Sequence, residues 1–89
     1  MILCAGEALI DMLPRQTAAG EAAFMPYSGG AALNMAVALG RLNTPVSLFT
    51  GLSTDMFGNQ LRATLEASGV GDRAATSDRP TTLAFVELV

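Results

Sequence analysis

Two adjacent glycines and a nearby asparagine are the first residues whose types and spacing suggest ligand binding. Gly29 and Gly30 are predicted to lie in the first turn of an apolar helix over residues 29–42, with Ser28 as its N-cap and Asn34 one turn inside. The first N–H groups of a helix have no intrahelical acceptor, and glycine lets a ligand approach them. The Asn34 amide both donates and accepts hydrogen bonds. These groups together suit a small polyhydroxylated ligand, whereas the glycines alone also fit a hinge or a turn.

Asp11 is the second candidate, because it is the one carboxylate in an apolar segment, residues 8–13, that is predicted to be a strand. A buried charge without a partner is costly, so this side chain must reach solvent or find hydrogen-bond donors. Sugar hydroxyls are such donors, and one carboxylate can accept from two adjacent hydroxyls. The alternatives are a solvated turn aspartate at Asp11 and a cap-related asparagine at Asn34. The neighbouring glycine pair shifts the balance toward a binding site.

The residue types that the sequence lacks exclude several kinds of site. It has no histidine and no lysine, which removes Ser-His-Asp triads, histidine-based metal sites and the lysine-containing phosphate loop. Cys4 is the one cysteine and is predicted to be a buried thiol, which favours a reducing compartment and a cytoplasmic location. A net charge of −3 without a basic stripe argues against nucleic-acid binding. No apolar stretch reaches the roughly 18 residues of a membrane span, so no membrane partner is expected.

A small α/β unit must position these candidates. The chain has 89 residues, 51% of them hydrophobic, which is enough for one globular unit with a modest core. The predicted elements, in order, are a strand over 1–5, a hairpin over 8–13 and 22–27, the helix to 42, a buried strand over 46–50, a helix capped at 54–55 and ended by Gly69, a polar loop over 71–80 and a strand over 82–89.

The order strand, helix, strand predicts a parallel pair joined by a crossover. The first strand is a continuous apolar run, so we expect it to be central and covered on both faces. Pro14 marks an edge or a turn, because proline cannot donate to a ladder. Asn43 is predicted to take the left-handed conformation that ends the first helix.

One further stretch, Gly69-Val70-Gly71-Asp72-Arg73-Ala74, matches the dinucleotide-binding pattern literally. That pattern joins a strand to a following helix, whereas here it follows a helix. We therefore interpret Gly69 as a helix C-cap followed by a turn. A nucleotide-binding Rossmann half remains a third hypothesis for the function of the chain.

Four blocks of residues, in order and at fitting intervals, resemble the ribokinase-like family of carbohydrate kinases and within it are most similar to the fructokinases. The resemblance spans essentially the whole chain. The blocks are Gly6-Glu7-Ala8-Leu9-Ile10-Asp11, the stretch from Gly29-Gly30 through Asn34-Met35-Ala36 to Leu39-Gly40-Arg41-Leu42, Gly51-Leu52-Ser53-Thr54-Asp55-Met56-Phe57-Gly58, and Thr81-Thr82-Leu83-Ala84-Phe85-Val86.

The resemblance implies a fold and a set of ligands. The fold is the N-terminal part of a ribokinase-like αβα sandwich with a small β lid, whose strands lie near residues 8–27 and 82–89. The ligands are ATP as phosphoryl donor, Mg²⁺ as its counter-ion, and a sugar bound between the lid and the main sheet. The final strand belongs to the lid, and pairing of two lids implies a homodimer.

The resemblance also implies roles for the candidate residues. Asp11 binds sugar hydroxyls from the lid side, Gly30 offers backbone groups to the substrate, and Asn34 makes the remaining contacts with the sugar. Gly29 shares the hinge between lid and sheet. Capping and packing are the roles expected for two further residues of the third block, Asp55 and Gly58.

Departures from the family pattern narrow the expected function. Ribokinases carry a lysine after the glycine pair and an asparagine two places before the lid aspartate, where this sequence has Ala31 and Leu9. Ribose is therefore disfavoured. The family's catalytic base, anion hole and nucleotide site lie in later segments, so no catalytic residue and no metal site is predicted within these 89 residues.

The leading hypothesis is an ATP-dependent kinase of a sugar hydroxyl, with fructose as the substrate implied by the resemblance. A kinase of 2-keto-3-deoxygluconate or of another sugar is the alternative within the same family. A non-catalytic fragment that binds a sugar or dimerises through its lid strands is the rival from a different class. The apolar side chains Leu83 and Phe85 at a strand edge support that rival, because such an edge invites association.

Overall fold

A computed structural model of the chain describes residues 1–72 and 74–87. The described part is an α/β structure, as predicted. Its strands are β1 (Ile2–Ala5), β2 (Leu9–Gln16), β3 (Ala22–Gly29), β4 (Val46–Phe49), β5 (Gly51–Ser53), β6 (Gly71–Asp72), β7 (Ala75–Ser77) and β8 (Leu83–Phe85), and its helices are α1 (Ala31–Arg41) and α2 (Met56–Ala67).

The main sheet has the strand order β1-β4-β6, and its strand pairs are parallel. β1 and β4 align from Ile2↔Val46 to Ala5↔Phe49, and α1 lies between them in sequence. Parallel neighbours need such a long connection, because a tight turn cannot reverse the chain twice. The predicted parallel pair is therefore confirmed. After a break at Thr50, β5 continues from β4 and pairs in parallel with β7.

The second sheet, with the order β3-β2-β8, is built on the predicted hairpin. β2 and β3 are antiparallel and in register from Leu9↔Gly29 to Gln16↔Ala22. β8 pairs in parallel with the other edge of β2, from Ile10↔Leu83 to Met12↔Phe85. The residue that carries the candidate carboxylate thus lies on the central strand of this sheet.

The pairing between β2 and β8 ends where proline removes a donor. Ile10 donates its N–H to Thr82 O at 3.0 Å, and Val86 donates to Met12 O at 3.1 Å. The next donor on that edge of β2 belongs to Pro14, which has no N–H. The predicted edge character of Pro14 is confirmed, and the predicted strand over 82–89 is too long. β8 covers Leu83–Phe85, and residues 88–89 lie outside the described part.

One hydrophobic core lies between the helices and the two sheets. Cys4 is a buried free thiol, as predicted. α2 is amphipathic, as its spacing predicts, and it directs Leu61 and Leu65 inward. No helix among the described residues has the length and apolar character needed to cross a bilayer. The buried hydrophobic side chains are Cys4, Ala8, Ile10, Leu33, Ala36, Val46, Leu48, Leu52, Leu61, Leu65 and Val70.

The prediction that β1 is central and covered on both faces is wrong. Within the described residues β1 is an edge strand, and its Ile2 and Leu3 side chains are 43% and 59% exposed. A continuous apolar run shows that a strand can be buried on two faces, but the partners that bury it come from elsewhere in the fold. The described residues cover one face and one edge of this strand.

The prediction of a polar loop over residues 71–80 is also wrong, because β6 and β7 lie within it. Their residues have little intrinsic preference for strands, and pairing with β4 and β5 overrides that preference. The C-cap of α2 is Ser68, and Gly69 follows it with φ +73°, so the prediction that α2 ends at Gly69 is confirmed. A strand follows Gly69 where a dinucleotide site would need a helix, and this contradicts the Rossmann hypothesis. Arg73, within that pattern, lies outside the described residues.

Candidate functional site

Asp11 projects from the face of β2 that points away from the core. Its neighbour Ile10 is fully buried, and side chains alternate along a strand, so the half-buried Asp11 lies on the opposite face. The Asp11 carboxylate lies directly against Gly29, since a Cβ atom built on Gly29 would overlap its Oδ2 atom. No described group donates a hydrogen bond to this carboxylate. The absence of a side chain at Gly29 is therefore what gives the carboxylate its position.

Gly30 forms the junction between β3 and α1. Its φ of +100° is a conformation that favours glycine, and a Cβ atom here would lie 2.5 Å from the Glu7 carbonyl oxygen. Gly30 is the N-cap of α1, and no side chain hydrogen-bonds to the helix end. The first N–H groups of α1 therefore lack a side-chain acceptor.

The predicted start of α1 is wrong in one respect. Ser28 is not the N-cap, and neither glycine lies inside the helix, because β3 runs through Gly29 and the helix begins at Ala31. The Ser28 hydroxyl instead hydrogen-bonds the Thr64 hydroxyl of α2 at 2.7 Å. The physical reason is the positive φ of Gly30, which places the turn from strand to helix two residues later than a cap at Ser28 would.

Asn34 lies one turn into α1, where its N–H donates to Gly30 O at 2.9 Å. The preceding residue, Leu33, is buried in the core, whereas the Asn34 side chain is exposed. No hydrogen bond within the described residues occupies its carboxamide. The structure thus brings Asp11 into contact with Gly29, and it links Asn34 to Gly30 through a backbone hydrogen bond. It shows no contact between the side chains of Asp11 and Asn34.

These residues do not line the cavity of about 290 Å³ that opens beside them. That cavity lies between the segment after β1, the strand β5 and the segment before β8, and Glu7, Ser53 and Thr81 are among its lining residues. The candidate site is instead an open surface beside the second sheet. A ligand held there would be contacted by the described residues from one side.

Tyr27 and Arg15 share the face of the second sheet that carries Asp11, and sequence reasoning missed both. Tyr27 pairs directly with Asp11 across the hairpin. The Arg15 guanidinium lies 5.5 Å from the centre of the Tyr27 ring, and its Nη2 donates to the Tyr27 hydroxyl at 3.3 Å. The signal that could have found them is the hairpin register, which requires the turn over residues 17–21 to be placed correctly.

Asp55 makes a larger set of hydrogen bonds than a helix cap needs. It caps α2 by accepting from the Gly58 N–H at 2.7 Å, which confirms its predicted capping role. It also accepts from the Thr81 hydroxyl and the Thr81 N–H. These bonds from Thr81, with that from Gly58, hold the pKa of the Asp55 carboxyl well below its usual range. Asp55 is thus ionised at neutral pH and unsuited to proton transfer.

Gly58 has the predicted packing role. A Cβ atom at this position would overlap the carbonyl of Ser53, so the first turn of α2 lies directly against the end of β5. Arg62 also ties α2 to β5, because its guanidinium donates to Ser53 O at 2.7 Å and to Leu52 O at 3.2 Å.

The α/β fold, in which a hairpin sheet places the Asp11 carboxylate against Gly29 near a helix start, matches the fold that the resemblance to carbohydrate kinases implies. The family model described as pfkB family carbohydrate kinase matches residues 1–89. The chain therefore belongs to the pfkB family of carbohydrate kinases.

Similar proteins within that family are named fructokinases. The chain is 58% identical over 90 residues to a fructokinase of Rhizobium leguminosarum bv. trifolii and 38% identical over 95 residues to fructokinase-1 of Zea mays, covering 100% and 99% of this chain. Crystal structures of a Xylella fastidiosa fructokinase, one of them with bound ATP, match 94% of this chain at 40% identity with a TM-score of 0.86. The chain spans 28% of the Rhizobium protein, 29% of the maize protein and 28% of the Xylella chain.

Proposed function

We propose that residues 1–89 are the sugar-binding part of an ATP-dependent kinase that phosphorylates a hydroxyl group of fructose. The observation that carries this proposal is the Asp11 carboxylate, which lies against Gly29 and has no hydrogen-bond donor among the described residues, near a start of α1 that no side chain caps. Family membership supports the reaction class. The shared name of the similar proteins supports fructose as the sugar.

The site suits a sugar because its free groups match hydroxyls. A carboxylate accepts from two adjacent hydroxyls, the amide of Asn34 donates and accepts, and the N–H groups at the start of α1 donate. Phosphoryl transfer depends on positioning of the acceptor and on stabilisation of spread negative charge. We propose that Asp11, Gly30 and Asn34 supply the positioning, with Gly29 making room for the carboxylate. The catalytic base and the charge-stabilising groups belong to the part of the enzyme outside residues 1–89.

The described residues do not fit a site for Mg²⁺. Within residues 1–72 and 74–87 no three His, Cys, Asp or Glu side chains are grouped closely enough to hold a metal ion. The sequence also lacks lysine, so it cannot form the lysine-containing phosphate loop that binds ATP in other proteins. We propose that ATP and its Mg²⁺ are bound by residues corresponding to the remaining length of the longer relatives, one of which has been crystallised with ATP.

An acidic sugar such as 2-keto-3-deoxygluconate is the second candidate substrate, since Arg15 is a cation on the same face as Asp11. The two residues are four positions apart on β2, which is roughly 13 Å between their Cα atoms at the usual rise. The guanidinium is also bound to the Pro14 carbonyl at 2.7 Å and to the Tyr27 hydroxyl. Because these bonds engage the guanidinium, they favour a neutral sugar held near Asp11 over an anionic one held by Arg15.

We also propose that the second sheet acts as a lid, that two lids pair in a homodimer, and that the enzyme is cytoplasmic. The support for pairing is an apolar surface on the side of the sheet opposite Asp11. There Phe24 and Phe85 pack edge to face, with ring centroids 5.2 Å apart, although they are 49% and 62% exposed. Sedimentation equilibrium tests this: the Phe24→Ser/Phe85→Ser variant of the complete kinase should be monomeric, and a dimer of unchanged strength would contradict the pairing.

The proposed function is tested with Asp11→Asn and Asn34→Ala in the complete kinase. Asp78→Asn and Asn59→Ala are matched controls, because both residues are exposed and neither belongs to β2, β3 or α1. We expect kcat/KM for fructose to fall about 10-fold or more in Asp11→Asn, since a hydrogen bond to a charged group contributes about 1.5–3 kcal/mol. In Asn34→Ala we expect a fall of about 2- to 10-fold, since a neutral hydrogen bond contributes about 0.5–1.5 kcal/mol. The controls should match the wild type. Equal kcat/KM for fructose in Asp11→Asn and Asp78→Asn would exclude the assigned sugar contact.

A further inference from the structure

The Asp55 carboxylate joins two segments that are far apart in sequence. Its Oδ1 atom accepts from the Gly58 N–H at 2.7 Å, within its own helix, and from the Thr81 hydroxyl at 2.6 Å. Its Oδ2 atom accepts from the Thr81 N–H at 2.9 Å. Helix capping uses the first of these bonds, and the two bonds to Thr81 have no part in it. They fix the segment that precedes β8 to the start of α2.

The anchored segment leads directly into the strand that flanks Asp11. Thr82, the next residue, accepts a hydrogen bond from the Ile10 N–H at 3.0 Å. Two residues further on, Ala84 pairs with Asp11 itself. A fixed Thr81 therefore sets the point at which β8 joins β2 and the register in which it pairs.

Besides the bonds of Thr81, β8 is held by its short pairing with β2 and by the contact of Phe85 with Phe24. It is three residues long, and its apolar side chains Leu83 and Phe85 are 38% and 62% exposed. Its pairing stops at the position of Pro14, as described above. So short a strand contributes few ladder bonds, and its stability depends on what fixes its ends.

Asp55 itself is held rigidly by the core. Its own N–H donates to the Ser53 hydroxyl at 3.1 Å. Gly58 allows the first turn of α2 to contact the Ser53 backbone, and Arg62 binds the Ser53 carbonyl at 2.7 Å. The carboxylate is thus a fixed point on the β5-α2 junction, and the segment that precedes β8 is bound to it.

We propose that Asp55 is a positioning residue for sugar binding, which acts by anchoring Thr81 so that β8 holds the Asp11 strand in its binding position. The inference rests on the proposed function of Asp11. It extends the role of Asp55 from helix capping to the geometry of the substrate site. The position of β8 in the second sheet then depends on a contact from the β5-α2 junction.

The variants Asp55→Asn, Thr81→Val and Thr81→Ser of the complete kinase test this proposal. Asparagine is as good an N-cap as aspartate, so Asp55→Asn can keep the Gly58 bond, but it turns an amide NH₂ toward the Thr81 N–H. Thr81→Val removes the hydroxyl at nearly constant shape. Thr81→Ser keeps both donors and is the matched control.

Two readouts are expected to change together. Hydrogen-exchange mass spectrometry should show about 10-fold faster exchange in the peptide covering residues 82–87 for Asp55→Asn, with the peptides of α2 unchanged. KM for fructose should rise about 5- to 20-fold, with kcat changed less than KM. Thr81→Val should show smaller effects of the same kind, and Thr81→Ser should behave as the wild type.

A double variant shows whether Asp55 acts through Asp11. If it does, adding Asp55→Asn to Asp11→Asn causes little further rise in KM, because the two changes remove the same contact. Unchanged exchange over residues 82–87 in Asp55→Asn overturns the proposal, as does uniformly faster exchange throughout the chain, which indicates general destabilisation. Normal fructose KM in Asp11→Asn overturns the sugar contact instead, and faster exchange over 82–87 in Asp55→Asn then shows that the anchor itself still exists.

Discussion

The substitution Gly29→Ala is predicted to weaken sugar binding without weakening the fold. Gly29 lies at the end of β3, and its φ is not in the left-handed region, so alanine is compatible with its backbone. The new methyl group would meet chiefly the flexible end of the Asp11 side chain, with Leu9 Cδ1 at an ordinary 3.5 Å. The carboxylate must therefore rotate away from its position, while the strand pairing is kept.

The size of the effect follows from that displacement. The Asp11 Cγ atom would lie 3.0 Å from the new Cβ, and its Oδ2 atom would overlap it, whereas ordinary contact begins at 3.4 Å. A movement of about 1 Å is enough to lose up to about 100-fold in rate. Loss of one hydrogen bond to a charged group costs about 1.5–3 kcal/mol, which is about 10- to 150-fold. We expect kcat/KM for fructose to fall about 10- to 100-fold.

The assay combines steady-state kinetics on the complete kinase with thermal unfolding. Replacement of glycine by alanine at a compatible position reduces the entropy of the unfolded chain and stabilises by about 0.4–1 kcal/mol, so Tm should be equal or slightly higher. In an Asp11→Ala background the added methyl group meets no carboxylate and should have no further effect on KM. Wild-type kinetics in Gly29→Ala, or a fall in Tm of several degrees, would refute the reasoning.

Four further outcomes are expected. Gly30→Ala should destabilise the protein by about 1–3 kcal/mol in urea unfolding, because its φ is +100° and a Cβ would press on the Glu7 carbonyl; an unchanged midpoint would contradict this. Gly58→Ala should cost at least about 1–3 kcal/mol through overlap with the Ser53 backbone, measured in the same way. Leu33→Ala should cost about 2–5 kcal/mol, since Leu33 is almost fully buried. The pKa of Asp55 is lowered in the folded state, so its stabilising effect is present at neutral pH and is lost as the pH falls below about 4; the stability gap between wild type and Asp55→Asn should therefore narrow in acid, and a constant gap would exclude that role.

Local chemistry and periodicity were sufficient to predict much of the fold. The parallel pair of β1 and β4, the hairpin and both helices follow from apolar spacing and from turn residues. Asn43 takes the predicted left-handed conformation, with φ +61°. Asp55 caps α2 as predicted, because capping is decided by residues within one turn of each other.

Features that depend on contacts distant in sequence could not be predicted in this way. The pairing of Tyr27 with Asp11 depends on the register of the hairpin, which shifts every side chain to the other face when it slips by one residue. The bonds between Asp55 and Thr81 join residues 26 positions apart. Neither residue type signals such a partner, and only the path of the chain through β6 and β7 brings them together.

The roles of the four candidate site residues stay a prediction. The structure shows the contact of the Asp11 carboxylate with Gly29 and the backbone bond of Asn34 to Gly30, and it shows no contact between the side chains of Asp11 and Asn34. The error at Ser28 arose because both serine and glycine are acceptable N-caps, and the local sequence does not decide between them. The positive φ of Gly30 decides it in the structure.

The central claim is that the Asp11 carboxylate binds sugar hydroxyls, and the dissociation constant of fructose measures this most directly. Isothermal titration calorimetry of the complete kinase without nucleotide, for the wild type and for Asp11→Asn, isolates binding from the chemical step. A dissociation constant at least about 10-fold higher in Asp11→Asn, with an unchanged Tm, is the result that we predict. Equal dissociation constants for fructose in the two proteins would contradict the claim.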